Sequence, residues 1–154
     1  MPEKFMQLDD LMPLIREQLA QGSSVTFSPR GTSMLPMLRQ GRDSVVLSPL
    51  PERLSKYDLP LYQRDNGQYV LHRIVAVGDT YTCLGDNQFQ PEPGIRREQM
   101  IALVTAFTRD GKRVEVTAPS YRLYCRLWAA SRPVRHLWRR GTNFLKRIVR
   151  RCLK

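Results

Sequence analysis

A chain of 154 residues, 42 % hydrophobic and 25 % charged, supports one ordinary core and excludes disorder throughout. Its formal net charge of +11 sits at one end: residues 1–120 carry 14 Lys and Arg against 14 Asp and Glu, while residues 121–154 carry 11 Lys and Arg and no acid. The sequence therefore reads as a neutral domain with a basic tail, not as a uniformly basic protein.

Residues 1–22 read as an N-terminal helix. Apolar positions at 8, 11, 14, 15 and 19 follow a helical spacing that Gly22 ends. Residues 23–118 read as a β domain. Val25 to Arg30 forms a short strand running into Gly31, and after a turn at Gln40-Gly41 a second strand covers Asp43 to Leu47. Pro49, Pro51 and Pro60 punctuate a loop. Asp65-Asn66-Gly67 is a hairpin turn signal, and Tyr69 to Val77 is the strand that leaves it. Tyr81 to Leu84 is a further strand stopped by Gly85-Asp86-Asn87, and Pro91, Pro93 and Gly94 make the next loop. Met100 to Thr108 and Arg113 to Thr117 form a last hairpin around Asp110-Gly111. Short strands with frequent turns predict a mostly β fold class.

Residues 119–154 read as a basic amphipathic helical tail. Tyr121, Tyr124, Cys125 and Trp128 lie at helical spacing, and Val134, Leu137, Trp138, Leu145, Ile148, Val149 and Cys152 make a second stripe beyond Pro133. Gly141 is a weak point within it. No apolar run reaches the roughly 18–20 residues that span a bilayer. The first residues carry acids where a secretory signal begins basic. Cys83, Cys125 and Cys152 lack CxxC spacing, and His72 and His136 are the only histidines. Neither a disulfide framework nor a zinc site is expected, and the compartment reads as reducing, hence cytoplasmic.

The segment with most chemical content is Gly31-Thr32-Ser33-Met34-Leu35-Pro36. A serine between glycine and proline at a strand end can be held rigidly with its hydroxyl exposed. It needs a base to become a nucleophile, and His72 is the only histidine before the tail. Strand alternation sets Val70, His72 and Ile74 on one face. Asp86, in the Gly85-Asp86-Asn87 turn, offers a carboxylate that could orient the imidazole. The bland reading stands beside this one: a lone histidine among apolar neighbours is often structural, and such a turn is common.

The order of four segments resembles the signal peptidase I family, and especially its Ser–His branch. They are Gly31-Thr32-Ser33-Met34-Leu35-Pro36-Met37-Leu38, Gly41-Arg42-Asp43-Ser44-Val45-Val46, Tyr69-Val70-Leu71-His72-Arg73-Ile74-Val75 and Gly85-Asp86-Asn87. The self-cleaving SOS repressors share that family's catalytic fold. The resemblance covers about residues 25–105. It implies a catalytic β core with Ser33 as nucleophile, His72 as general base and Asp86 as the group orienting it. It also implies that Thr32, Ser33, Met34 and Pro36 shape the turn and the oxyanion site, and that an extended peptide adds along a strand edge. No metal or organic cofactor is implied. The sequence departs from the family in lacking a membrane anchor before the serine, in having Gly31 two positions before it, and in offering only Glu92 as a second acid after the turn.

The tail admits three readings: a solvated helical hairpin, a phosphate-binding surface for nucleic acid, or an interfacial helix. The interfacial helix accounts for both faces. It would seat Trp128, Trp138 and Phe144 at the headgroup boundary and aim Arg139, Arg140, Lys146, Arg147, Arg150 and Arg151 at anionic lipid. The expected function is a serine endopeptidase that cleaves leader or signal-like peptides at the inner membrane surface, with nucleic acid not expected as a partner. The rivals are a non-catalytic peptide-binding module of the same fold and a self-cleaving regulator. Only 32 residues precede Ser33 and the sequence has no Ala-Gly or Cys-Gly bond, which counts against the regulator.

Overall fold

The computed structural model describes residues 8–139 and 142. Strand makes up about 32 % and helix about 27 % of them, so the protein is mixed α and β with two antiparallel sheets. The mostly β expectation holds only loosely, because helical segments flank the sheets at both ends.

The first helix, α1 (Leu8–Ala20), buries Met12, Ile15 and Leu19 and leaves Leu14 56 % exposed. The stripe therefore runs through position 12 and not 14, since 12, 15 and 19 share one helical face with 8 and 11. Gly22, at φ +77°, ends the helix: its N–H donates to the Leu19 carbonyl and Ser23 N–H to that of Gln18, satisfying the last turn.

The larger sheet runs β1 (Val25–Phe27), β2 (Ser44–Ser48), β8 (Met100–Arg109), β3 (Pro60–Gln63), β4 (Tyr69–Leu71), with β9 (Lys112–Glu115) also on β8. Ten-residue β8 is long enough to hold β3 beside its first half and β9 beside its second, with β2 along its other edge. The smaller sheet is β5 (Arg73–Val77), β6 (Tyr81–Leu84), β7 (Glu92–Ile95). Two of these strands, β3 and β7, fall where loops were expected. Both contain proline, which a strand tolerates at its start or on a sheet edge.

The larger sheet separates two cores. Leu61, Leu71, Ala102 and Val104 face α1, the loop of residues 31–38 and the helix α2 (Pro119–Ala130). On the other face, Tyr62, Val70 and Met100 meet Ile74, Cys83 and Ile95 of the smaller sheet. The hairpin register puts Leu61 opposite Leu71 and Tyr62 opposite Val70, so each cross-strand pair feeds one core. Where a single strand from Tyr69 to Val77 was expected, the chain instead changes sheets at His72, between β4 and β5. Val70 and Ile74 do enter one cluster.

α2 turns Tyr121 and Cys125 into the core, and residues 132–139 continue helically after Ser131. Gly141 and the apolar positions from Leu145 onward lie outside the described residues. No described helix is long and apolar enough to cross a membrane.

Candidate active site

The loop after β1 reverses at Gly31, whose φ of +96° favours glycine; its N–H donates to Oε1 of Gln40. Met34, Met37 and Leu38 are buried beneath the loop, and Leu38 N–H donates to the Met34 carbonyl. The Leu35–Pro36 peptide is cis. Asp43, fully buried, closes the loop from below by accepting from the Arg39 backbone N–H, Nε and Nη2, and these bonds hold its carboxyl below the usual carboxylate range. With its apolar residues turned inward, the loop leaves Ser33 half-buried at its top.

Gly85 brings Ser33 and His72 together. A Cβ on Gly85 would lie 3.1 Å from both His72 Nε2 and Ser33 Cβ, and 2.7 Å from the Ser33 carbonyl oxygen. Ser33 Cβ and Nε2 are therefore no more than about 6 Å apart, across a gap that only glycine leaves open. The next residues latch the two loops: Asn87 N–H donates to the Ser33 carbonyl at 2.8 Å, and Asn87 Nδ2 to that of Thr32 at 3.1 Å. The Ser33 backbone N–H has no protein acceptor among the described residues and is free to serve an oxyanion. Ser33 Oγ itself is not hydrogen-bonded to the ring.

The imidazole is 3 % exposed. Nδ1 lies 3.3 Å from the Tyr62 hydroxyl, which donates to Glu92 Oε2 at 2.8 Å. Glu92 is itself gripped by Arg64 through Nε and Nη2, so its carboxyl is held low and stays ionised at neutral pH. A Tyr62 hydroxyl already donating to Glu92 can only accept from the ring. Nδ1 is thus the protonated nitrogen and Nε2 carries the lone pair. Nε2 has no hydrogen-bond partner among the described residues and lies against Gly85, where His72 and Ser33 line one cavity. Burial lowers the imidazole pKa to about 4 although Glu92 pulls it upward, so the ring is neutral at physiological pH.

Asp86 does not orient His72. Its carboxylate is taken by Arg73, with Nε to Oδ1 and Nη2 to Oδ2 each at 2.8 Å. Both side chains are buried. A planar guanidinium beside a carboxylate takes both oxygens, and Arg73 also donates to the Tyr57 carbonyl, the Tyr121 hydroxyl and Cys125. Sequence reasoning missed Tyr62, and it named Glu92 only as a spare acid. The signal for Tyr62 was the hairpin register: once β3 is recognised, Tyr62 sits opposite Val70 and diagonal to His72.

Ser33 and His72 share the wall of a cavity of about 950 Å³ with Thr32, Met34, Asn87, Phe89, Glu92 and Arg139. A second cavity, of about 800 Å³, continues it past Leu8, Leu11 and Phe27. Pro29 and Arg30 on one side and Gln68, Tyr69 and Leu71 on the other border both. Thr32 is exposed at the mouth and Pro36 lies outside the lining.

Of the residues assigned to lipid, Trp128 turns inward instead: its Nε1 donates to the Asp86 carbonyl at 2.9 Å and its ring stacks on Tyr124. The Arg139 guanidinium lies over the Phe89 ring at the cavity mouth. His136 stacks on the same ring. Trp138 is 75 % exposed. Arg140, Phe144, Lys146, Arg147, Arg150 and Arg151 lie outside the described residues. A scan of protein-family models and searches of curated proteins and of solved structures return no match to the chain.

Proposed function

We propose that this chain is a serine endopeptidase, resembling signal peptidase I in its motifs, in which Ser33 is the nucleophile and His72 the base. One observation carries the reading: the lone-pair nitrogen of His72 opens toward Ser33 across Gly85, in the wall of a groove with room for an extended peptide. Among the described residues β4 ends its sheet with β3 on one side only, so its other edge can take a substrate strand, with residues 29–30 on the opposite bank.

In this reading Ser33 Oγ and Nε2 close to hydrogen-bond distance when a substrate fills the groove. The oxygen attacks the scissile carbonyl as its proton passes to Nε2, and the Ser33 backbone N–H meets the developing oxyanion. The Tyr62–Glu92 pair stabilises the imidazolium, which then protonates the leaving amine. Water hydrolyses the acyl-serine by the same route. A leader or signal-like segment presented at the inner membrane surface is the substrate class that the motifs and the basic tail favour.

The unmade bond between Ser33 Oγ and the ring favours a second reading, a module that grips peptides without cutting them. Labelling by a fluorophosphonate, followed by digestion of a mixed peptide library, separates the two. The peptidase is labelled at Ser33 and cuts the library; Ser33→Ala and His72→Ala each reduce cleavage by at least roughly 10³-fold. Peptide binding with neither labelling nor cleavage would leave the gripping module.

A further inference from the structure

The C-terminal helical segment has two faces with different fates. Its inner face carries Tyr121, Tyr124, Cys125, Trp128 and Arg135. There Trp128 Nε1 and Arg135 Nη1 both donate to the Asp86 carbonyl, at 2.9 and 3.2 Å. The Arg135 guanidinium lies 3.7 Å above the Trp128 ring. Asp86 precedes Asn87, the residue that holds the Thr32 and Ser33 carbonyls. The serine loop is thus fastened to the turn at residues 85–87, and the turn to the helix.

The outer face carries Leu123, Leu127, Val134, Leu137 and Trp138, which are 56–75 % exposed. Steps of four, seven, three and one keep them on one side of a helix. Beside them Arg122 and Arg126 are exposed, and neither forms an ion pair among the described residues. The sequence from 119 to 154 contains no acid, and beyond residue 139 it adds six Lys and Arg. Large apolar side chains flanked by exposed cations suit an anionic bilayer surface; a nucleic acid backbone would use the cations and leave the apolar row in water.

We propose that anionic lipid bound to this outer face holds the inner face on the Asp86 carbonyl and so fixes the Ser33 loop. Lipid thereby acts as an activator at a site remote from the groove, with Trp128 and Arg135 as positioning residues. The consequence for rate rests on Ser33 being the nucleophile; the coupling itself does not.

Hydrogen exchange on the full chain tests the coupling without needing any chemistry. Vesicles of phosphatidylglycerol should sediment the protein, blue-shift its tryptophan emission and slow exchange at residues 31–38 and 85–89 at least fivefold. Phosphatidylcholine vesicles should do none of these. Trp128→Phe keeps the ring but loses the indole N–H. This variant should still bind vesicles while losing the slowing, and Arg135→Lys should lose part of it. Leu127→Ser with Trp138→Ser should lose binding and slowing together. Fluorophosphonate labelling of Ser33 should accelerate with phosphatidylglycerol in the wild type and not in Trp128→Phe. Equal effects of both lipids, slowing that survives Trp128→Phe, or a preference for nucleic acid or a second copy of the chain at this face overturns the proposal. Slowed exchange with no labelling under any condition keeps the coupling and overturns the peptidase reading instead.

Discussion

Nδ1 of His72 faces the Tyr62 hydroxyl at 3.3 Å, on the side of the ring opposite the nitrogen that opens toward Ser33. Because that hydroxyl already donates to Glu92, and Arg64 keeps Glu92 ionised, proton placement on the imidazole is settled two residues away from it. An acid in direct contact is not required: Glu92 lies 3.8 Å from Nδ1 and acts on the ring through its charge and through Tyr62.

Removing this support should lower turnover and leave the fold in place. Glu92→Gln deletes the charge that pulls the His72 pKa upward, so the imidazolium of the proposed attack would be less favourable. We expect kcat to fall by roughly 100-fold, the lower end of what general acid–base catalysis contributes, with KM nearly unchanged. Tyr62→Phe should fall less, because Glu92 can move the short remaining distance to Nδ1. Steady-state kinetics on one cleaved peptide check both; a larger loss in Tyr62→Phe than in Glu92→Gln would contradict the relay.

Burial of His72 sets an unusual pH dependence. A neutral base with a pKa near 4 places the acid limb of kcat/KM at about pH 4, where an unperturbed histidine would place it near 6.5. The same group acts on stability with a definite sign. The unfolded ring binds its proton below about pH 6.5 and the folded ring only near 4, so the folded state loses stability as pH falls through that window and keeps it above. Urea midpoints at pH 7.5 and 5 should differ more for the wild type than for His72→Gln, which cannot titrate there.

The fold was legible in the sequence wherever local chemistry decides it. Asp110-Gly111 takes positive φ at both residues, +50° and +75°, as a tight hairpin turn demands, and the strands on either side follow. The serine loop and the turn at Gly85 could be read because few residue types satisfy their geometry. Asp86 was misassigned because sequence order does not reveal which cation reaches a carboxylate first; Arg73, adjacent to His72 in the chain, points to the other side of the strand and takes it. Glu92 was obscured by Pro91 and Pro93, which mask the short edge strand that carries it to the ring. Trp128 looks like an interfacial residue by composition alone, and only the position of the Asp86 carbonyl explains why it turns inward.

Arg73 and Asp86 should therefore matter for stability more than for the protonation of His72. Both are buried and paired through two short bonds. Breaking such a pair from one side leaves an uncompensated buried charge and costs about 3–5 kcal/mol. Arg73→Met and Asp86→Asn should each lower the unfolding free energy by about that much, the first stranding the carboxylate and the second a guanidinium that cannot deprotonate. In the Asp86→Asn protein that remains folded, the acid limb of kcat/KM should stay close to its wild-type position. A large shift of that limb would show that Asp86 acts on the ring after all.

Gly85 is the most exacting position in the site, because its missing side chain is the space in which Ser33 and His72 meet. The 2.7 Å approach to the Ser33 carbonyl oxygen is shorter than a real Cβ accepts, and that oxygen is fixed by Asn87, so Gly85→Ala must push the serine loop away from the ring. The atom it meets is a main-chain oxygen, which cannot swing aside as the end of a flexible side chain would, so the shift costs stability as well as geometry. Catalysis is less tolerant: a misplacement on the order of 1 Å between nucleophile and base costs about 100-fold. Gly85→Ala should therefore melt below the wild type, and in the protein that remains folded both cleavage and fluorophosphonate labelling of Ser33 should fall by up to about that factor. Labelling at the wild-type rate in a well-folded Gly85→Ala protein would mean that Ser33 reacts without His72, and the pairing across this glycine would have to be abandoned.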